Sequence, residues 1–234
     1  MFTVKNSKIY PCDHTYTLAS SILSHVDFIR DLGVTVDSNL KFDKHISLIM
    51  HKALVRSRLI LKCFHSHDRS LLVLAFCTYV RPLLEYCCAV WSPHHLNLID
   101  KIEGVQRFFT KRLGLTHEPY NIRLFLLNLE SLEHRRLIQD LILCFKVYHR
   151  LLDTELCNAL PGAVCTITRG HSSKLQKVSC KIDTTKYFLT NRIVDIWNKL
   201  PSTVVDAESV ALFKKRLRGI NFSPHLRYPC LSNV

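Results

Sequence analysis

The chain has 234 residues, of which 47% are hydrophobic and 9% aromatic. This composition is sufficient for a buried core in one or two domains and argues against an intrinsically disordered chain. Thirty-two Lys and Arg against 19 Asp and Glu give a formal net charge of +13. So basic a chain favours an acidic partner such as nucleic acid, with an inert basic surface as the alternative.

Membrane insertion and secretion are not indicated. Residues 1–8 lack the apolar segment of a secretory signal. The longest apolar run, 71–80, stops at Arg81 and Pro82 and is shorter than the roughly 20 residues that span a bilayer. The ten cysteines are scattered through apolar helical patterns, where a free Cys behaves as a small buried hydrophobe. We therefore expect a reduced, intracellular protein, cytoplasmic or nuclear, with no membrane partner.

The sequence predicts neither a metal site nor a cofactor. Structural zinc sites bring Cys or His ligands two to four residues apart in repeated pairs. No Cys-x-x-Cys occurs, and Cys87 and Cys88 are adjacent. We interpret the close histidine pairs, His94 with His95 and His65 with His67, as solvated loop residues.

The first 42 residues predict short strands and turns. They contain β-branched runs such as Val34-Thr35-Val36 and are interrupted by Pro11, Gly33 and Asn39. If these strands belong to a larger sheet, they keep an unpaired edge, which favours self-association.

From residue 43 the hydrophobic period changes to that of helices. We predict an amphipathic helix over 43–64, and a second helix that Asp68 caps, that runs to Tyr86 and that Pro82 kinks. A third helix over 97–113 should end at Gly114. A short helix near 121–128 and a long one near 131–152 complete a bundle of about five helices.

The sequence after residue 155 predicts a small region of mixed secondary structure. A break falls at Pro161 and Gly162, residues 163–184 are interpreted as extended, and two helices follow near 186–199 and 208–218, separated by Pro201. The expected domains are thus a β segment at 1–42, a helical bundle at 43–155 and a basic C-terminal region at 156–234. The fold class is mainly α.

Several short motifs occur in an order and spacing that a known family also shows. They are Asp-Leu-Gly-Val-Thr-Val-Asp at 31–37, Tyr-Val-Arg-Pro-Leu-Leu-Glu-Tyr at 79–86, Val-Trp-Ser-Pro at 90–93, Ile-Glu-Gly-Val-Gln-Arg-Phe at 102–108, Leu-Glu-Ser-Leu-Glu-His-Arg-Arg at 129–136 and Asn-Arg-Ile-Val-Asp-Ile-Trp-Asn-Lys-Leu-Pro at 191–201. Over roughly residues 26–218 the chain resembles the region that follows the active site in reverse transcriptases of LINE-type (non-LTR) retrotransposons of the Jockey-like group. The resemblance implies the end of a polymerase palm, then a thumb and a C-terminal region.

The same resemblance implies what the chain lacks. Nucleotide polymerisation needs two divalent ions held by clustered carboxylates, and in this family two of these form an Ala-Asp-Asp turn upstream of the Asp-Leu-Gly segment. This chain has no Asp-Asp pair. We therefore expect no enzyme activity and no catalytic residues.

The candidate nucleic-acid contacts are basic residues on two predicted helices. In a thumb, the helix that follows the palm lies against the primer-template backbone, and such charges neutralise phosphates without reading bases. The candidates are Lys52, Arg56, Arg58 and Lys62 on the first helix and Arg107, Lys111 and Arg112 on the third. The alternative is a solvated basic surface, or complementation of the third helix's C-terminal dipole.

Three functional hypotheses remain open. The leading one is a non-catalytic remnant of a retrotransposon RNA-directed DNA polymerase that binds RNA or DNA backbone weakly and without sequence preference. The second is a domesticated helical module that binds a protein. The third is a fragment of a longer, active reverse transcriptase.

Overall fold

The computed structural model describes residues 16–24, 26–64, 68–152, 171 and 173–229. Within them the protein is mainly helical, with two small two-stranded sheets, so the predicted mainly α class is confirmed. The predicted break at 161–162 and residues 163–170 and 172 of the predicted extended segment lie outside the described residues.

Two β-hairpins precede the first helix, as the sequence predicted. β1 (Thr17–Leu18) pairs with β2 (Ser21–Ile22), and β3 (Phe28–Asp31) pairs with β4 (Val34–Asp37), both antiparallel. The second hairpin turns through Leu32 and Gly33, which both have positive φ, the backbone that a two-residue turn between twisted strands needs. β3 is exposed, whereas β4 buries Val34.

The long first helix, α1, spans Asp43–Cys63, as predicted. Asp37 shapes its entry, because its carboxylate accepts the backbone N–H groups of Asn39, Lys41 and Phe42. Ile46, Ala53, Ser57 and Ile60 form the buried face, and their spacing is that of one helix face.

The predicted second helix, kinked at Pro82, is wrong in detail. Asp68 does cap α2 (Arg69–Tyr79) by accepting from Ser70 N at 2.9 Å. The helix then breaks, and Pro82 sits in the first turn of a new helix, α3 (Arg81–Glu85). Its missing N–H costs no hydrogen bond there, because the N–H groups of a first turn have no acceptor within the helix. A further short helix, α4 (Cys88–Trp91), follows.

The next three helices agree with prediction to within a few residues. They are α5 (Leu96–Lys111), α6 (Tyr120–Leu126) and α7 (Leu132–Tyr148). Beyond them lie α8 (Asp183–Lys186), α9 (Leu189–Arg192), α10 (Val194–Trp197), α11 (Ser202–Val205), α12 (Val210–Leu217) and a 3₁₀ turn at Ser223–His225. The single helix predicted over 186–199 is therefore wrong, since that stretch holds the last residue of α8 and two short helices, α9 and α10.

Two hydrophobic cores hold these elements together. The first joins β4, α1 to α5 and Leu124 of α6, around Phe76, Phe109 and Trp91. The second joins the C-terminal half of α7 to the C-terminal helices, around Phe145, Trp197 and Phe213. Because α7 contributes Leu132 to the first core and Leu141 to the second, it links the predicted bundle to the C-terminal region.

Candidate nucleic-acid interface

The four candidate residues on α1 all lie at the protein surface. Lys52, Arg56, Arg58 and Lys62 are exposed, while the intervening Ala53, Ser57 and Ile60 are buried. The helical period separates the two sets, since successive residues are rotated by about a quarter turn or more. Their charges therefore face solvent, and their role in binding stays a prediction.

Arg56 also has a structural role. Its Nη1 donates to the carbonyl oxygen of Tyr79, the last residue of α2, at 3.0 Å. The side chain thus attaches α1 to the end of α2, so replacing Arg56 would disturb packing as well as charge.

Arg58 and Arg112 meet at the ring of Phe108. The Arg58 guanidinium lies 5.8 Å and that of Arg112 5.1 Å from the ring centroid, both within cation–π range. Their guanidinium carbons are therefore at most about 11 Å apart, although the residues are 54 positions apart in the chain. An aromatic ring thus holds two like charges together at the surface, an arrangement that an anion would stabilise.

Lys62 and Lys111 extend this cluster. Lys62 lies one turn after Arg58 in the last turn of α1, and Lys111 ends α5; both are exposed. We call Arg58, Lys62, Lys111 and Arg112 the basic cluster. The C-terminal ends of two helices carry partial negative charge that favours cations there, which accounts for part of this arrangement without any ligand.

Arg107 points towards the protein interior. It is half-buried, its Nη2 donates to the Asp100 carbonyl at 2.8 Å, and its Nη1 donates to the Tyr228 hydroxyl at 3.1 Å. The guanidinium also lies 5.2 Å from the centre of the Tyr228 ring. The expectation that this residue faces solvent was wrong, because a tyrosine 121 positions away covers it. We leave Arg107 out of the interface proposed below.

Sequence reasoning missed a buried polar network built from the motif residues. The carboxylate of Glu103, which is fully buried, accepts from the Tyr120 hydroxyl at 2.5 Å and from the backbone N–H groups of Leu132 and Glu133 at 3.1 and 3.3 Å. It thereby caps α7, where a negative charge complements the helix dipole. Burial raises the pKa of Glu103, and the hydrogen bond from Tyr120 partly offsets this rise.

The other motifs contribute ion pairs and tryptophans to the same interior. Arg135 forms a salt bridge with Glu85, and Arg192 binds both carboxylate oxygens of Asp140 at 2.9 Å. Trp91 and Trp197 are both buried, with their indole N–H groups donating to carbonyl oxygens. Most motif residues thus hold the two cores together and are not available to a ligand.

The histidines and cysteines form no metal site within the described ranges. No group of three His, Cys, Asp or Glu side chains there could hold an ion. His94 instead stacks on Tyr187 at 3.7 Å, with the two rings nearly parallel. Cys88 and Cys144 are free and buried, and burial raises the pKa of the Cys88 thiol to about 12. Two other free thiols, Cys63 and Cys87, are exposed, so the expectation of buried cysteines holds only in part.

None of the helices in the described segments is long and apolar enough to cross a membrane.

Comparison with known proteins adds little beyond this geometry. The chain is 33% identical over 131 residues to an uncharacterized protein of Caenorhabditis elegans, a match that covers 54% of this chain and 64% of that protein. No family model and no solved structure matches.

Proposed function

We propose that these 234 residues correspond to the thumb and C-terminal region of a LINE-type reverse transcriptase, and that they bind the phosphate backbone of RNA or DNA without reading its sequence. The observation that carries the binding function is the basic cluster, in which the ends of α1 and α5 place two guanidinium groups on one aromatic ring. The order of the motifs supports the assignment to a reverse transcriptase. The formal charge of +13 supports an anionic partner.

The first experiment measures salt dependence. If Lys52 and the four residues of the basic cluster each neutralise one phosphate of duplex DNA, the plot of log affinity against log salt should have a slope of about −4.5, from roughly −0.9 per contact. Replacing Lys52, Arg58 and Lys62 by Gln should reduce the slope to about −1.8. Arg56 is left in place because its bond to Tyr79 attaches α1 to α2.

A matched control removes the same number of charges elsewhere. Lys101, Lys181 and Lys199 are exposed and lie outside α1, so their replacement by Gln should change the slope little. Equal slopes in the two triple variants would mean that the net charge, and not the α1 surface, attracts nucleic acid. The interface proposed here would then be rejected.

A primer-extension assay tests the expectation that the chain has no polymerase activity. The isolated chain, supplied with magnesium or manganese and a poly-A template, should incorporate no nucleotide above background, because it has no Asp-Asp pair to hold two ions. Template-dependent incorporation would exclude a non-catalytic role.

A second candidate function, binding of a partner protein, is favoured by one feature of α1. Leu48, Val55 and Leu59 are 44, 50 and 58% exposed and recur at helical spacing on its outer surface, a pattern that can pack against another helix. The test changes these three residues to Gln and measures self-association of the chain by sedimentation. A fall in the association state would favour the protein-binding function, whereas unchanged sedimentation together with the salt slope above would favour nucleic acid alone.

A further inference from the structure

A cavity of about 310 Å³ lies at the end of the α1/α5 pair opposite the basic cluster. It is enclosed by the turn before α1, by the segment that leads into α5, and by α8 with the residue after it. Because residues at the starts of α1 and α5 line this cavity and residues near their ends meet at Phe108, the two helices run parallel. At 1.5 Å per residue, the 21 residues of α1 separate the cavity from the basic cluster by roughly 25–30 Å.

The floor of the cavity is apolar. Phe42, Trp91 and Leu98 line it and are 9, 1 and 2% exposed. Val90 and Phe188 stand at the rim and are 47 and 42% exposed. A volume near 300 Å³ with aromatic and aliphatic walls is at the lower end of the size range of small-molecule sites.

One wall is a stack of rings that fixes its shape. His94 lies parallel to Tyr187 at 3.7 Å and contacts His95 at 4.0 Å. Burial lowers the pKa of His94, and His95 lowers it further, so that this wall carries a neutral imidazole near neutral pH.

Charged groups of both signs stand at the mouth. Lys41, in the turn before α1, and Asp183, the first residue of α8, are both exposed and both line the cavity. A ligand that satisfies this arrangement has a flat apolar body, an anionic group for Lys41 and a hydrogen-bond donor for Asp183. A nucleotide has all three, in its base and in the phosphate on its ribose, since proteins bind an unpaired base by contacts to its faces and by hydrogen bonds to its Watson–Crick edge.

We propose that this cavity binds a single nucleotide, with the base over Phe42, Trp91 and Leu98, its polar edge towards Asp183, and the phosphate at Lys41. The choice of a nucleotide among flat anions rests on the proposed function. The bound species is either a free mononucleotide or the phosphorylated end of a strand.

Calorimetric titration of the full chain tests the site with four probes: AMP, adenosine, inorganic phosphate and a 5′-phosphorylated tetra-adenylate. AMP should bind about 3- to 5-fold more tightly than adenosine, the increment of one exposed charge pair, and inorganic phosphate should bind far more weakly than either. A free-nucleotide site binds AMP as tightly as the tetranucleotide, whereas a strand-end site prefers the tetranucleotide.

Two variants examine the cavity itself. Val90→Trp fills the cavity from the rim and should weaken AMP binding at least tenfold. Its control is Leu126→Trp, which should leave AMP binding unchanged because Leu126 is also exposed but lies on α6, outside the cavity. Lys41→Gln should weaken AMP binding about 3- to 5-fold without affecting adenosine, and Lys101→Gln serves as its control. Thermal unfolding of each variant verifies that the fold is kept.

Two results would overturn the inference: AMP binding no tighter than inorganic phosphate, or AMP binding that Val90→Trp leaves unchanged. The triple α1 variant described above should bind AMP normally, because its changes are remote from the cavity. If AMP fails to bind while the salt-dependent binding of nucleic acid persists, the nucleotide site is rejected and the proposed function stands.

Discussion

At the scale of single residues, the protein buries an unusual set of charges. Glu103, Arg136 and Asp140 are each less than 5% exposed. Burial of a charge is costly unless a partner and hydrogen bonds offset it. The ion pair with Arg192 offsets the cost of burying the Asp140 carboxylate. Arg192 also donates to the carbonyls of Ala89 and Tyr187, so this one side chain connects α7, α4 and the C-terminal helices.

We predict that Asp140→Asn lowers the free energy of unfolding by about 3 kcal/mol, because it leaves the half-buried Arg192 cation without its counter-charge. The matched change Asp195→Asn removes a carboxylate that is 60% exposed and paired with Lys177, and it should cost less than about 1 kcal/mol. Urea denaturation of both variants measures the two values. Equal losses would show that burial does not determine the strength of the Asp140 pair.

His45 makes stability depend on pH. Burial lowers its pKa below the ordinary 6.5, and the nearby Lys52 lowers it further. The folded protein therefore holds a neutral imidazole, whose Nδ1 accepts from Thr35 N at 3.2 Å, whereas the unfolded chain takes up a proton near pH 6.5. The contribution of His45 to stability is full above that pH and is lost as pH falls below it.

The test compares the free energy of unfolding of the wild type and of His45→Gln between pH 7.5 and 5.5. The wild type should lose more stability over this interval than the variant does. The difference isolates His45, because the other titrating groups are common to both proteins: burial raises the pKa values of Glu103 and Asp140, which act in the opposite sense, and lowers those of His94 and His134, which act in the same sense. His117→Gln, at an exposed position, is the control. Parallel pH profiles for wild type and His45→Gln would contradict the prediction.

At the scale of elements, local sequence signals placed most helices. The spacing of Ile46, Ala53, Ser57 and Ile60 located α1, and Asp68 located the start of α2, because periodicity and capping act within one or two turns. The signals failed where tertiary contacts set the boundary. The stretch 186–199 is apolar enough for one helix, yet it is interrupted at 187–188 and at Ile193. Between these breaks, the side-chain amide of Asn191 donates to the Thr185 carbonyl and its Oδ1 accepts from Val178 N.

The start of α7 provides a test at this scale. Ser131 is fully buried, its hydroxyl accepts from His134 N at 3.2 Å, and it donates to the Tyr228 carbonyl at 2.7 Å. Ser131→Ala should lower the free energy of unfolding by about 2 kcal/mol, the upper range for an N-cap. Ser209→Ala removes the exposed N-cap of α12 and should cost about 1 kcal/mol. Thermal and urea unfolding measure both, and a larger loss at Ser209 would contradict this ranking.

At the scale of the whole molecule, the hairpin before α1 belongs to the first core. Val34 is 5% exposed, and the Tyr86 hydroxyl donates to the Leu32 carbonyl at 3.0 Å. Val36 packs against the same core. From the sequence we expected an unpaired strand edge in residues 1–42 that favours self-association, and on that expectation a chain beginning near Asp43 would be more soluble. Removing β4 would instead uncover the core side of α1, so we withdraw that expectation.

We predict different outcomes for two truncations. A chain that begins at Asp27 removes, among the described residues, only the exposed first hairpin and its flanks, and it should unfold cooperatively within a few degrees of the full chain. A chain that begins at Asp43 loses the buried Val34 and Phe42 and should unfold at lower temperature or aggregate. Circular dichroism and sedimentation distinguish them, and a stable, monodisperse chain from Asp43 would show that the hairpin is dispensable.

The sequence by itself determined the mainly α class, the extent of α1 and the β-hairpin at Gly33, because periodicity, turn residues and caps are local properties of the chain. Only the tertiary structure decided which charged residues remain at the surface. Arg107 and Arg112 lie five residues apart on one helix end, yet Tyr228 covers the first and Phe108 presents the second beside Arg58. Burial and pairing of a charge depend on residues 50 to 120 positions away, and no local pattern encodes such contacts.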